Sequence, residues 1–149
     1  MKFIGFERED EAIAWAKEKI GIDGPVGFCR AMAAVDASDD FVLVVVMSNF
    51  SQRNVDMHQV MAHGGKGFSP GAIKTMFNAL FHYVFDELGA VRVTGLVRSK
   101  NQKARRLDEH LGFKLEGIMR AAFEDDDLCL YGFLKQDFLE HRWHDGRHE

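Results

Sequence analysis

Two stretches of the chain hold residue types at spacings that could do chemistry. The first is His63-Gly64-Gly65-Lys66-Gly67-Phe68-Ser69-Pro70-Gly71. Gly64, Gly65 and Gly67 let the backbone take positive φ and approach a ligand closely, Ser69 is a natural helix N-cap, and Pro70 suits the first helical position, where a missing N–H costs nothing. Unpaired backbone N–H groups and the positive end of a helix dipole then converge on one spot, which suits a phosphate or pyrophosphate. An ordinary glycine-containing loop is the plain alternative. The second is Asp56 and His58, two residues apart and so on one face of a strand. A histidine accepts a proton near neutral pH without much tuning, although a strand histidine is also a common structural hydrogen bonder. Glu116, on a neighbouring strand, is a third proton acceptor to consider.

The elements that must position these groups follow from periodicity. Lys2 to Phe6 reads as a strand, and a helix from about Asp10 to Ile20 places Ile13, Ala16 and Ile20 on one face and stops at Gly21. Gly24-Pro25 is a turn. Phe28 to Val35 and Phe41 to Met47 form a hairpin whose second strand is apolar throughout and so buried on both faces. After the loop 48–54, Val55 to Ala62 is a strand that leads into the glycine-rich turn. The helix after Pro70 has Ile73, Met76, Phe77, Leu80, Phe81, Val84, Phe85 and Leu88 at spacings of three and four, closed by Gly89. Val91 to Val97 is a strand. A shorter helix has Ala104, Leu107 and Leu111 inward and ends at Gly112. Two strands follow: Phe113 to Phe123, with Phe113, Leu115, Met119 and Phe123 on one face, and Leu128 to Leu134 after the acidic turn Glu124-Asp125-Asp126-Asp127. Phe138, Leu139 and Trp143 dock a last helical turn. This order predicts a single-domain α/β (α+β) protein over residues 1–140, with a mixed, mostly antiparallel sheet of about seven strands and helices on both faces. Residues 141–149 read as a polar tail.

Composition narrows the function classes. The net charge of −4 and the sequence pI of about 6.0 argue against nucleic-acid binding through a global field. A local basic cluster exists in Arg98, Lys100, Lys103, Arg105 and Arg106, for which a solvated helix face is the plain alternative. Cys29 and Cys129 lie in apolar runs and read as buried thiols, consistent with a reducing cytoplasm. The longest apolar run, Phe41 to Met47, is too short to span a membrane, and the start of the chain turns charged too early for a signal peptide. His141, His144 and His148 have no metal-site spacing with a cysteine, so no metal is assigned.

From His63 to about Phe138 the chain resembles the GCN5-related N-acetyltransferases, in particular the branch that acetylates ribosomal-protein N-termini and related amines. Gly64-Gly65-Lys66-Gly67-Phe68-Ser69 occupies the six positions of that family's phosphate loop, Gln/Arg-x-x-Gly-x-Gly/Ala. Asn101, Ala104, Leu107 and Leu111-Gly112-Phe113 match its second signature, and Lys114 to Arg120 and Leu130-Tyr131-Gly132-Phe133-Leu134 are similar to its following strands. Gly64 stands where the family has Gln or Arg, and Ser69 where it has a small Gly or Ala. Asp108 stands where many members carry a Tyr acid, so no acid is assigned by motif.

The resemblance implies acetyl-CoA as co-substrate, with its pyrophosphate on the backbone of Gly65, Lys66, Gly67, Phe68 and Ser69 and its pantetheine arm along the strand edge from Val60 through Met61 to His63. Asn101 and Lys103 are implied as further cofactor contacts; for Asn101 a simple N-cap is the alternative. Direct transfer needs a neutral amine, so a base on the acceptor side takes its proton, and His58, Asp56 and Glu116 are the candidates. The partners implied are a small-molecule or protein N-terminal amine and a second copy of the chain in a homodimer, with no membrane and with nucleic acid disfavoured. Two rivals stay open: a binding module that keeps the fold without catalysis, and an enzyme acting on nucleic-acid amines through the basic cluster.

Overall fold

The structure, a computed structural model, describes residues 1–21 and 27–141. The turn at Gly24-Pro25, the docking of Trp143 and the tail from residue 142 lie outside the described residues. The elements in order are β1 (Lys2–Gly5), α1 (Glu9–Ile20), β2 (Arg30–Val35), β3 (Phe41–Ser48), β4 (Asn54–Met61), a 3-10 turn (Ala62–Gly65), α2 (Pro70–His82) with a π turn (Tyr83–Glu87), β5 (Arg92–Arg98), α3 (Gln102–Leu111), β6 (Lys114–Met119), β7 (Leu128–Leu134) and α4 (Lys135–Glu140). The strands form one seven-stranded sheet in the order β1-β2-β3-β4-β5-β7-β6. Only β4 and β5 pair in parallel; every other neighbour is antiparallel.

Period-two alternation sorts the sheet's side chains onto two faces. Ala31, Ala33, Val44 and Val46 meet Ala12 and Ala16 of α1, where small residues let the helix sit close. Leu43, Val45, Met47, Val55 and Met57 meet Ile73, Met76, Phe77 and Leu80 of α2, with Ala104 and Leu111 of α3 and Phe138 of α4 in the same core. All eight residues of β3 are buried, as its unbroken apolar run requires. At the centre of the larger core Phe81 lies 4.7 Å from the Phe133 ring and 5.4 Å from that of Phe138, with Phe77, Phe85 and Phe113 around it. Both cysteines are buried free thiols. No helix among the described residues is long and apolar enough to cross a membrane.

Three expectations of facing are corrected. Leu88 was expected on the buried stripe of α2, but it is 43% exposed. The Leu88 N–H reaches back five residues to the Tyr83 carbonyl at 2.9 Å, and this wider turn buries three consecutive side chains, Tyr83, Val84 and Phe85, and rotates Leu88 outward. Leu115 and Met119 were expected on one buried face of a strand running to Phe123. The strand ends at Met119, and a bulge between Leu115 and Gly117 shifts its register, so Leu115 pairs with Tyr131 but Met119 with Leu128, on the opposite face. Both are exposed, because β6 is the edge strand. Leu139 likewise points to solvent, whereas Phe138 is buried.

Candidate active site

The parallel β4–β5 ladder runs from Asn54↔Arg92 to Met57↔Gly95 and stops there, although β4 continues to Met61 and β5 to Arg98. On its other side β4 stays paired with β3 up to Leu43↔Met61. The strands therefore part like a fork, and among the described residues the β5-facing backbone of His58 to Met61 has no strand partner. A cavity of about 860 Å³ occupies the fork. Its lining comes from both faces of the sheet: Lys19, His58, Leu96 and Arg98 on the α1 side, Gln59, Met61, Val97 and Ala104 on the α3 side. The cavity is thus a slot through the sheet.

At the α3 end of the slot lies the glycine-rich turn. His63 (φ 51°) and Gly64 (φ 62°) are both left-handed, and Gly65 and Gly67 have φ of 83° and 82°. This run of positive φ coils the backbone just ahead of α2, whose N-cap Ser69 accepts from the Ala72 N–H at 3.4 Å and whose first residue is Pro70. Lys103 of α3 donates its ammonium to the Gly64 carbonyl and so ties the turn to α3. Asn101 caps α3 by accepting from the Ala104 N–H at 3.2 Å, and it also lines the slot. Gly64, Met61, Asn101 and Lys103 reach the slot itself. Gly65, Lys66, Gly67, Phe68 and Ser69 lie in the turn beside it, and His63 lines a separate cavity with Trp15 and Phe41.

The three proton acceptors are separated. His58 is half-buried in the slot wall; burial holds its pKa below the ordinary histidine value, opposed by the charge of Asp56, and its Nδ1 has no hydrogen-bond partner among the described residues. Asp56 and Glu116 do not line the slot. Asp56 accepts from the amides of Asn54 at 2.9 Å and Asn49 at 3.0 Å, one on each oxygen. Glu116 takes both terminal nitrogens of Arg92, at 2.6 and 3.1 Å, which holds its carboxyl below the usual range. Arg92 also donates to Thr94 at 3.0 Å, and Thr94 donates to the Asn54 side-chain amide oxygen at 2.6 Å. One chain of polar contacts therefore crosses the sheet from β6 to the end of β3. Gly132 leaves room for the pair, since a Cβ there would push the Glu116 carboxylate aside.

Behind the slot sits a pair that the sequence reading did not single out as functional. Asp108 of α3 is fully buried, and its Oδ1 accepts from the Gln59 amide at 2.5 Å; the same amide donates to the Ala104 carbonyl at 3.2 Å. Asp108 Oδ2 and Gln59 Oε1 have no partner among the described residues. Burial raises the Asp108 pKa to about 7, against the lowering effect of the Gln59 hydrogen bond. The available signal was helical spacing: Asp108 lies four residues after Ala104 and three before Leu111, on the stripe that faces the core. Gln59 carried none, since its partner is 49 residues away. Of the basic cluster, Arg98, Lys100, Lys103 and Arg106 line the slot, while Arg105 turns to the Tyr131 hydroxyl at 3.0 Å.

No family profile matches the sequence, and no curated protein sequence does. Solved structures are similar in shape. The spermidine N-acetyltransferase of Vibrio cholerae in complex with CoA and spermine is 22% identical, covering 85% of this chain and 76% of its own, at a TM-score of 0.61. Its dodecameric form in an intermediate state gives 21% identity over 93% of this chain and 84% of that one, at 0.62. A probable acetyltransferase gives 23% over 83% and 68%, at 0.62. The seven-stranded sheet with its single parallel pair therefore has the GNAT-like fold, that of the N-acetyltransferases it superposes on.

Proposed function

We propose that this protein is an acetyl-CoA-dependent N-acetyltransferase that acts on a primary amine of a small molecule or a protein N-terminus. The observation that carries the reading is the fork at Met57 and Gly95, which opens a slot through the sheet beside a left-handed turn at the start of α2. The turn and the α2 N-terminus suit a pyrophosphate, and Lys103 and Arg106 of α3 add positive charge beside them. The partnerless backbone of His58 to Met61 suits an extended arm with amide groups. The similar Vibrio cholerae enzyme was solved with CoA and spermine, which supports a reading in which the fold serves a CoA thioester and an amine.

Acetyl-CoA supplies the activated acyl carbon. In the transfer the amine nitrogen bonds to that carbon, the carbon–sulfur bond breaks with its electron pair on sulfur, and the amine loses a proton. We assign that proton to His58, whose pKa burial lowers and whose Nδ1 is unpartnered among the described residues in the slot wall. Asp56 supports it from the same strand face, and Glu116 belongs to the Arg92 pair. The thiolate takes its proton from water in the open slot.

A thermal shift with acetyl-CoA tests the reading. At 100 times its dissociation constant the ligand adds about 2.7 kcal/mol of stability, a rise in Tm of about 5–10 °C for a chain of this size. Gly67→Pro, which cannot hold the φ of 82°, abolishes the shift. His58→Ala keeps the shift and slows transfer by about 100-fold or more. No shift at millimolar acetyl-CoA overturns the proposal.

A further inference from the structure

We infer that Lys19 is a self-acetylation site: when no outside amine fills the slot, the Lys19 side-chain amine enters it and takes the acetyl group from acetyl-CoA. The inference rests on the N-acetyltransferase reading and adds a product, a chain that carries one N-acetyl-lysine. Lys19 stands between two cavities. Of the described residues that line the slot and the cavity holding Trp15 and Phe41, it alone lines both. Its ammonium sits over the Trp15 ring, 4.8 Å from the centroid, while its other side borders the slot.

Lys19, Lys100 and Lys103 are the primary amines that line the slot among the described residues, and two of them are held by carbonyls. The Lys100 ammonium donates to the Asp125 carbonyl at 2.5 Å, and the Lys103 ammonium donates to that of Gly64. Lys19 is exposed, and among the described residues its ammonium has the Trp15 ring as its partner and no hydrogen bond or ion pair. A cation–π contact at an exposed position is weak, so moving off the ring costs little. Lys19 is therefore the amine of the three that can leave its place without breaking a charge-assisted hydrogen bond.

The amine starts on the same side of the sheet as the proposed base. Trp15 and Val60 pack in one cluster on the α1 face, and His58, two residues before Val60 on β4, shares that face. Two strand residues span about 6.6 Å, and an extended lysine side chain reaches about 6 Å from its Cα, so a swing along β4 from Trp15 towards His58 is within its length. A tethered amine reaches an effective concentration of about millimolar or more, which lets transfer proceed with no outside acceptor. In the step, the Lys19 ammonium first gives one proton to water. The neutral Nζ then bonds to the acyl carbon, the carbon–sulfur bond breaks with its electron pair on sulfur, and a second proton passes from Nζ to His58. The thiolate takes a proton from water. The amide formed is neutral, so the cation over Trp15 is lost.

The test incubates the full chain with isotope-labelled acetyl-CoA and no added amine, then locates the label by peptide mass spectrometry. Lys19 is expected to gain an acetyl group about 10-fold or more faster than Lys2 and Lys74, exposed lysines that do not line the slot. The rate per chain is expected to stay constant on dilution of the protein, as transfer within one chain requires. Excess CoA is expected to suppress labelling at Lys19 alone, because it competes for the slot, and His58→Ala is expected to bring Lys19 down to the rate of the other two lysines. Suppression by CoA supports the inference even where His58→Ala fails to fold. Equal labelling of the three lysines, a rate per chain that falls on dilution, or a Lys19 rate that neither CoA nor His58→Ala lowers overturns it. An acetyl-CoA thermal shift without label at Lys19 overturns this inference alone, whereas absence of that shift overturns the N-acetyltransferase reading.

Discussion

Asp108→Asn should flatten one part of the protein's stability profile with pH. Asp108 is fully buried, one oxygen is bonded to Gln59 and the other is unpartnered, and its pKa rises from 3.8 to about 7. A rise of about 3 units corresponds to about 4 kcal/mol between the two protonation states. The sign follows from proton counting. Between about pH 4 and 7 the folded chain holds a proton on Asp108 that the unfolded chain has released, so stability falls as pH rises, by up to about 1.4 kcal/mol per unit. The contribution is fully present below about pH 4 and lost by about pH 7, where a carboxylate must be buried with one oxygen unsatisfied. Asparagine keeps an acceptor for the Gln59 amide and carries no charge. His58 acts in the opposite sense below its ordinary value, because its lowered pKa makes the folded chain bind fewer protons, but it is common to both proteins and cancels in the difference. Urea unfolding of both proteins at pH 5, 6, 7 and 8 reads the effect. The stability of the parent minus that of Asp108→Asn should fall by about 2 kcal/mol from pH 5 to 7 and then level off. A flat or rising difference over that range would refute the account of Asp108.

Phe81→Ala removes the ring at the centre of the aromatic core, 3% exposed and in contact with five other phenylalanines. It should cost about 3–5 kcal/mol in urea unfolding, and a loss under about 1 kcal/mol would mean that the cluster repacks around the gap. Glu116→Gln breaks a partly exposed pair with Arg92, so it should cost no more than about 1 kcal/mol and leave the acetyl-transfer rate unchanged. A 100-fold loss of rate in that variant would restore Glu116 as a candidate base.

What could be read in advance depended on whether the cause was local. The α2 stripe from Ile73 to Phe81, the apolar β3 and the Ser69-Pro70 helix start are local patterns, and each lies where spacing put it. The glycine-rich turn was legible for the same reason, since backbone freedom is written in residue type. Leu88 and Met119 were misplaced because one wider turn and one bulge each insert a residue, and a fixed period carries every later side chain to the wrong face. The site was less legible than the fold. Asp56, His58 and Glu116 were correctly noticed as polar groups on strands, but their neighbours decide what each can do. Two of the three carboxylate or imidazole groups are engaged by Asn49, Asn54 and Arg92, which come from other elements.

The position of the fork itself has a physical cause in those same polar groups. Up to Met57, β4 is held to β5 by the parallel ladder and by the Thr94 hydroxyl, which bonds the Asn54 side chain at 2.6 Å. Beyond Met57, β4 changes partner. Gln59 turns its amide to the Ala104 carbonyl and Asp108, and Lys103 grips Gly64, so α3 holds the end of β4 where β5 no longer does. Asp56 and Glu116 therefore serve the site by holding the lower half of the fork closed, and Asp108 by holding the upper half open. Of the four titratable groups, His58, at the branch point with its Nδ1 unpartnered among the described residues, is the one we propose meets an incoming amine.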